Sequence, residues 1–296
     1  MISSSFLAQF IYIPMNDDNQ KNHLKAYGIV YFSLQNGLKA KWLLNYDGGA
    51  FLIENNKTIE NECKIRGVSY EIISDAKSQL ILEEISSPSS NKEAITLEKA
   101  PKIAVYSPKD KMPWDDAVTM VLSYAEISFE VIYDKEILAD KLLFYEWLHL
   151  HHEDFTGQYG KFYGSFRTAP WYVEQKLAAE KLAKELGFSK VSDEKLAVAR
   201  KIRDYVIGGG FIFAMCSATD SFDIALAAEG VDIAEAMFDG DASELNYKSK
   251  INYDKTFAFK DFQLERNPNV YEFSSIDMTN KRAIPKTSDY FSLIEF

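Results

Sequence analysis

After Pro101 the sequence alternates short apolar runs with longer stretches that have helical periodicity, and this alternation restricts the possible folds more than any other feature. The apolar runs, which we expect to form strands, are residues 102–106, 129–133, 145–152 and 211–215. The intervening stretches, which we expect to form helices, are residues 114–127, 135–143, 172–186, 193–207 and 222–228. Strands and helices that alternate in this way are typical of parallel βαβ units with right-handed crossovers. The pattern predicts an α/β fold with a doubly wound, mostly parallel sheet.

The first hundred residues have a different pattern, in which short apolar runs are separated by turn residues. Residues 26–32 and 41–46 flank Asn36-Gly37, a pair that tolerates positive φ in a tight turn, so we predict a β-hairpin here. Ser74 is expected to cap a helix over about residues 76–84.

The most loop-like stretch of the chain is rich in Ser and begins near residue 86. We therefore expect a small β-rich domain over residues 1–87, a linker over residues 88–101 and the α/β domain over residues 102–296. The chain has 296 residues, of which 47% are hydrophobic, and this is enough for about two domains of roughly 150 residues each.

Charge and hydropathy exclude two classes of partner. The chain has 33 Lys and Arg against 44 Asp and Glu, a formal net charge of −11, which argues against binding to nucleic acid. No apolar run approaches the roughly 18 residues that cross a bilayer, so we expect no transmembrane segment. We expect a small-molecule ligand instead, and the sequence does not indicate an oligomeric state.

Two interpretations of the N-terminus stay open. The apolar residues 6–13 are either the tail of a secretion signal or a first β-strand. In the first case Met1–Ala8 is a signal remnant and the protein is periplasmic or secreted; in the second it is cytoplasmic. Cys63 and Cys216 are the only cysteines, and two cysteines in so long a chain do not indicate a disulfide framework.

Cys216 directly follows the run 211–215, so in a flavodoxin-like sheet it lies at the carboxyl end of a strand, where such folds bind their ligands. A helix N-terminus after it would favour a thiolate and stabilise an oxyanion. We therefore interpret Cys216 as a candidate nucleophile, with the amides of Ser217 and Ala218 as oxyanion donors and Thr219 as a substrate contact. The alternative is a buried structural cysteine.

Three of the four histidines lie within four positions at the end of the run 145–152. If the strand before them neighbours the strand before Cys216, His151 or His152 could act as the general base. Glu153 or Asp154 would then orient the imidazole.

The same cluster supports two other interpretations. Imidazoles and carboxylates are usual ligands of zinc or iron, so His149 and His151 with Glu153 or Asp154 could bind a metal ion. They could also be structural polar residues that border a loop. We expect no other cofactor.

Residues 156–164, rich in glycine and aromatic side chains, follow the histidines and could close over a ligand. We expect Gln158 and Tyr159 to contact substrate there, together with His149 and Asp154. A non-catalytic protein that binds a sugar or small metabolite is an alternative. Its pocket would be lined by the aromatic residues Trp147, Tyr159, Phe162, Tyr163 and Trp171.

Five segments carry a resemblance to a known family: residues 20–28, 45–49, 103–106, 148–160 and 209–217. They resemble the class I glutamine amidotransferase-like fold, and nearly the whole chain is similar to a bacterial family often labelled asparagine synthetase B. The resemblance implies amide hydrolysis or transfer that depends on Cys216.

The sequence departs from the motifs of both class I amidotransferases and asparagine synthetases. Ala214 and Ala218 stand where class I amidotransferases have glycines around the nucleophile, and no histidine follows His152, where those enzymes have a later His-x-Glu pair. Asparagine synthetases have an N-terminal cysteine and a Ser-Gly-Gly-x-Asp-Ser loop, whereas this chain has Ile2 and no such loop. The resemblance also implies a Gly-Gly-His-Asp segment beyond Phe296, so we expect a truncated member.

Overall fold

The computed structural model describes residues 9–108 and 117–276. They divide into two compact units, of which the first contains residues 9–103 and 117–130 and the second residues 104–108 and 131–276. The possible signal remnant at Met1–Ala8, the expected helix start at residue 114 and everything after residue 276 lie outside the described residues.

The first unit is built on a five-stranded antiparallel sheet of order β4-β1-β3-β2-β5. Its strands are β1 (Gln9–Ile13), β2 (Ala40–Leu44), β3 (Phe51–Glu54), β4 (Glu71–Ser74) and β5 (Glu93–Leu97). Its helices are α1 (His23–Gln35), α2 (Lys57–Arg66), α3 (Asp75–Ile85) and α4 (Ala117–Ala125). Ile11 and Ile53, paired across β1 and β3, are fully buried in its core with Ile29 of α1.

The predicted hairpin is wrong, because residues 26–32 belong to helix α1. A short apolar run with no clear period fits a buried helix as well as a strand. Asn36-Gly37 ends this helix: Gly37 has φ 76°, its N–H donates to Leu34, and the N–H of Leu38 donates to Ser33. This is a Schellman motif, which uses the same left-handed glycine as a tight hairpin turn.

The predicted cap of the third helix is confirmed, since the Ser74 side chain accepts a hydrogen bond from the N–H of Lys77 at 3.3 Å. The segment expected as a linker, residues 88–101, contains strand β5, which pairs with β2. The β-rich domain expected over residues 1–87 contains four strands of this sheet, and it also contains helices α1 and α2, where the sequence showed only short runs and turns.

The second sheet has four parallel strands in the order β7-β6-β8-β9. These strands are β6 (Ile103–Tyr106), β7 (Phe129–Ile132), β8 (Trp147–Leu150) and β9 (Phe211–Ala214). The helices that follow them are α5 (Asp134–Leu138), α6 (Tyr163–Phe166), α7 (Pro170–Glu185), α8 (Val191–Ile207), α9 (Ser217–Ala227) and α10 (Ala236–Asp239).

The predicted alternation of strands and helices is confirmed in this part of the chain, so the protein is a mixed α/β protein. The core beside the parallel sheet contains Tyr106, Leu148, Phe155, Ile202 and Leu226, all nearly inaccessible to solvent. Within residues 9–108 and 117–276, every helix is too short or too polar to cross a membrane.

Candidate functional site

Cys216 lies between β9 and α9, at the strand-to-helix turn that the sequence predicted. Its backbone has φ 51° and ψ −136°, a conformation that residues with a side chain rarely adopt, and its side chain is exposed. Residues held in such conformations cluster at functional sites, because the surrounding structure must stabilise them. The exposed side chain does not fit the alternative of a buried structural cysteine.

The structure meets the condition that links the histidines to Cys216: β8 and β9 are parallel neighbours, with Leu150 paired to Ala214. The N–H of Met215 donates to the carbonyl of Leu150 at 3.0 Å, and the N–H of Ala218 donates to the carbonyl of His151 at 3.2 Å. The main chain of His151 thus lies against the turn that holds Cys216.

The same contact revises the expected oxyanion donors. Because the N–H of Ala218 already donates to His151, it is not available to an oxyanion in this conformation. The N–H of Thr219 donates to the carbonyl of Cys216 at 3.1 Å. Of the first three amides of α9, the Ser217 amide has no acceptor among the described residues.

The three clustered histidines have different surroundings. His149 is buried, with 4% of its surface exposed, and its ring stacks on Phe213 at a centroid distance of 5.6 Å. Burial, and secondarily the neighbouring His151, lowers the pKa of His149 to about 4, so this imidazole is neutral near pH 7. His151 and His152 are half-buried, with ring centroids 3.7 Å apart.

Both acidic residues bind main-chain N–H groups. Glu153 is buried, and its Oε2 accepts a hydrogen bond from the N–H of His151 at 2.6 Å. Asp154 accepts from the N–H of Thr156 at 2.7 Å and from the N–H of Gly160 at 3.0 Å. These carboxylates shape the loop after β8, and their expected role in orienting an imidazole stays a prediction.

Gln158 and Tyr159, expected to contact substrate, are both buried. The Gln158 side chain donates to the hydroxyl of Thr156 at 2.9 Å, and the Tyr159 ring packs against Tyr172 and Phe238. In this conformation both residues stabilise the loop, and a substrate could reach them only if the loop moved.

The aromatic side chains proposed to line a binding pocket are not all brought together. Four of them share one cluster beside Tyr172 and Phe238, namely Tyr159, Phe162, Tyr163 and Trp171. Trp147 begins β8 and packs against Phe211, the first residue of β9, with ring centroids 6.1 Å apart. It therefore lies at the other end of these strands from Cys216.

The histidine cluster does not have the spacing of a metal site. Among the described residues, the one group of three side chains whose ligand atoms lie within 4.8 Å of one another is Asp232, Asp239 and Asp241. The ammonium of Lys190 lies among these carboxylates at 2.7, 3.0 and 2.6 Å, so they already have a cation. The expected set of His149, His151 and Glu153 is not brought within that distance.

A cavity of about 300 Å³ lies elsewhere in the second unit. It is lined by Phe155 and Thr156, the beginning of α8, the end of α9 and residues 230–234. None of the expected catalytic side chains lines this cavity.

Sequence reasoning missed a buried ionic group at the ends of β6 and β7. The ammonium of Lys195 donates to Asp134 at 2.6 Å, to the hydroxyl of Tyr106 at 3.0 Å and to that of Tyr133 at 3.1 Å. Each residue alone has an ordinary place in the sequence, so nothing in the sequence indicated this grouping.

Comparison of the chain with family models, curated proteins and solved structures gave no match.

Proposed function

We propose that the second unit catalyses hydrolysis or transfer of an amide, with Cys216 as nucleophile and His151 or His152 as general base. The observation that carries the proposal is the backbone of Cys216, an exposed thiol held at positive φ between a strand and an 11-residue helix. The hydrogen bond from Ala218 to His151 supports it, because it holds the histidine turn against the turn that contains the thiol.

The reaction would proceed in two steps. The imidazole accepts the thiol proton as sulfur attacks the amide carbonyl, and the N-terminus of α9 with the Ser217 amide stabilises the resulting oxyanion. The carbon–nitrogen bond then breaks, the leaving amine takes the proton from the imidazolium, and a thioester remains. Water or an acceptor amine then attacks the thioester carbonyl and gives a proton to the imidazole. The carbon–sulfur bond breaks, the acid or the new amide leaves, and sulfur takes the proton back from the imidazolium.

The arrangement of strands supports a second part of the proposal. We propose a flavodoxin-like, doubly wound fold and membership of the class I glutamine amidotransferase-like proteins. The strand order β7-β6-β8-β9 matches the first four strands of a flavodoxin-like sheet. In that order the direction of progression reverses between β6 and β8, and the three clustered histidines lie in and directly after β8.

Alkylation of Cys216 by a small thiol reagent, followed by intact mass, tests the proposal in a Cys63→Ala background. Cys63 is fully buried, and burial raises the pKa of its thiol to about 12, so it contributes little labelling in the folded protein. We expect rapid labelling of Cys216 near pH 7 and a loss of about tenfold or more in the His151→Ala/His152→Ala variant.

A His23→Ala variant is the matched control, since His23 is a half-exposed histidine of the first unit. Its labelling rate should equal that of the background protein. The proposal fails if Cys216 is labelled only under denaturant, or if the double variant labels as fast as its parent. Either result would favour a non-catalytic binding role for the second unit.

A further inference from the structure

We propose that Ser221 is a positioning residue for this site: its hydroxyl holds the turn that carries His151 and His152 in place beside Cys216. The inference rests on the proposed function, because it assigns Ser221 an effect on the reactivity of the thiol. Ser221 lies on α9, five residues after Cys216, and is fully buried.

The Ser221 hydroxyl makes two contacts with the turn after β8. It donates to the carbonyl of Glu153 at 2.7 Å and accepts a hydrogen bond from the N–H of Phe155 at 3.4 Å. One short side chain thus satisfies two buried main-chain groups of a segment that lies 66 to 68 residues earlier in the sequence.

These contacts complete a series that begins at the strand ends. The N–H of Met215, directly after β9, donates to Leu150, and the N–H of Ala218 in α9 donates to His151. Ser221 adds the third connection, on the far side of His152. The histidine turn is therefore held to α9 both before and after His152, and loss of the hydroxyl would remove the connection after it.

Loss of the hydroxyl would also leave the carbonyl of Glu153 and the N–H of Phe155 without this partner in a water-poor interior. Leaving a buried polar group unsatisfied is destabilising, so the turn would shift to recover hydrogen bonds. A shift of about 1 Å in a catalytic group can cost roughly a hundredfold in rate. The turn carries both candidate bases, so the shift would be measurable at Cys216.

The test compares Ser221→Thr with Ser221→Val in the Cys63→Ala background. The two replacements have the same shape, but only threonine keeps the hydroxyl. The readout is the rate of Cys216 alkylation as a function of pH. We expect Ser221→Val to lose about tenfold or more near pH 7 and to show the pH profile of the His151→Ala/His152→Ala variant. Ser221→Thr should retain most of the parental rate.

Ser33→Ala is the matched control, since Ser33 is also fully buried and its hydroxyl donates to the carbonyl of Ile29 at 2.8 Å within α1. It should leave the labelling rate unchanged. Circular dichroism shows whether Ser221→Thr and Ser221→Val fold. If they do not, the alkylation rate of Ser221→Ala is compared with that of the parent protein, because alanine removes the hydroxyl without adding a larger side chain.

The outcomes separate the two proposals. If the parent thiol is activated by the histidines but the Val variant labels as fast as the Thr variant, the role of Ser221 is overturned and the proposed function stands. If the parent labels no faster than the double histidine variant, both proposals are overturned. A selective loss in Ser221→Val supports both.

Discussion

Glu194 and Lys195 are neighbours on α8 and both are buried, but they differ in how well hydrogen bonds satisfy their side chains. Lys195 has Asp134 and two tyrosine hydroxyls as partners. Glu194 has one carboxylate oxygen, Oε1, without a hydrogen-bond partner among the described residues. Burial, opposed by Lys195 and reinforced by Asp134, raises the pKa of Glu194 to about 8. This side chain is therefore mostly protonated at neutral pH.

The raised pKa predicts that stability falls as the pH rises. Between its ordinary pKa of 4.5 and about 8, folded Glu194 keeps a proton that the unfolded chain releases. Its contribution is full below pH 4.5 and is lost as the pH rises through about 8, with a slope of at most about 1.4 kcal/mol per pH unit. Urea unfolding of Glu194→Gln should give a flatter profile over this range and a more stable protein at pH 8.

Asp193→Asn is the control for this measurement, since Asp193 precedes Glu194 on the same helix and is exposed. It should reproduce the pH profile of the unmodified protein. Parallel profiles for Glu194→Gln and the unmodified protein would show that Glu194 releases its proton at an ordinary pH in the folded state.

At the scale of single residues, the sequence predicted the position of Cys216 but not the contacts around it. A cysteine between an apolar run and a helical pattern is visible in the sequence, because strand and helix have different periods. The acceptor of the Ala218 amide and the partners of Ser221 are set by a segment more than 60 residues away. Such contacts depend on which strands become neighbours, and a local pattern does not encode that.

Among the elements, α1 shows how a local signal can mislead. Its apolar run contains Gly28 and β-branched residues, which are typical of strands and turns, yet it forms a 13-residue helix. Tertiary packing explains the glycine: a Cβ atom at position 28 would overlap the carbonyl oxygen of Ala125 in α4. Gly28 therefore permits a close approach of two helices, at the expense of helix propensity.

Gly28→Ala separates these two effects because they have opposite signs. Helix propensity alone predicts a gain of about 1 kcal/mol in the free energy of unfolding. The overlap with a backbone atom predicts a loss of about 1–3 kcal/mol, since α1 and α4 must move apart. We expect the overlap to dominate, with a net loss near 1 kcal/mol or more in the free energy of unfolding, measured by urea unfolding.

The control is Gln35→Ala, an exposed change in the same helix, which should change the free energy of unfolding by no more than about 0.5 kcal/mol. A stabilised Gly28→Ala protein would contradict the close packing.

For the whole molecule, the sequence predicted two domains and a change of architecture between them; the chain divides into two compact units and contains two separate sheets. The parallel sheet was easier to predict than the antiparallel one. Its strands and helices alternate with regular lengths, so each element supports the interpretation of the next. In the first unit short runs stand next to turn residues that also occur at helix ends, so a local pattern fits more than one structure.

The two units are not separated by a single boundary in the sequence, because each contains two separate stretches of the chain. Residues 117–130 belong to the first unit, although residues 117–128 fall between strands β6 and β7 in the sequence. Within the first unit, Lys25 pairs with Glu126 at 2.5 Å, and its ammonium lies over the Tyr124 ring, 4.9 Å from the ring centroid. A fragment that ends at the expected linker, residues 1–101, would lack these partners and all of α4.

We therefore predict that the fragment of residues 1–101 is less stable than the same residues in the whole protein. Without α4, the surface of α1 around Gly28 is exposed to water, so thermal unfolding followed by circular dichroism should be broader and begin at a lower temperature.

A synthetic peptide of residues 117–130, added in excess, should restore part of the lost stability by binding the folded fragment. The same peptide with Ala125→Glu should not, because a bulky charged side chain replaces the buried Ala125. If the fragment instead unfolds cooperatively and the peptide leaves its unfolding temperature unchanged, the first hundred residues form a domain by themselves, and α4 is dispensable for the stability of that domain.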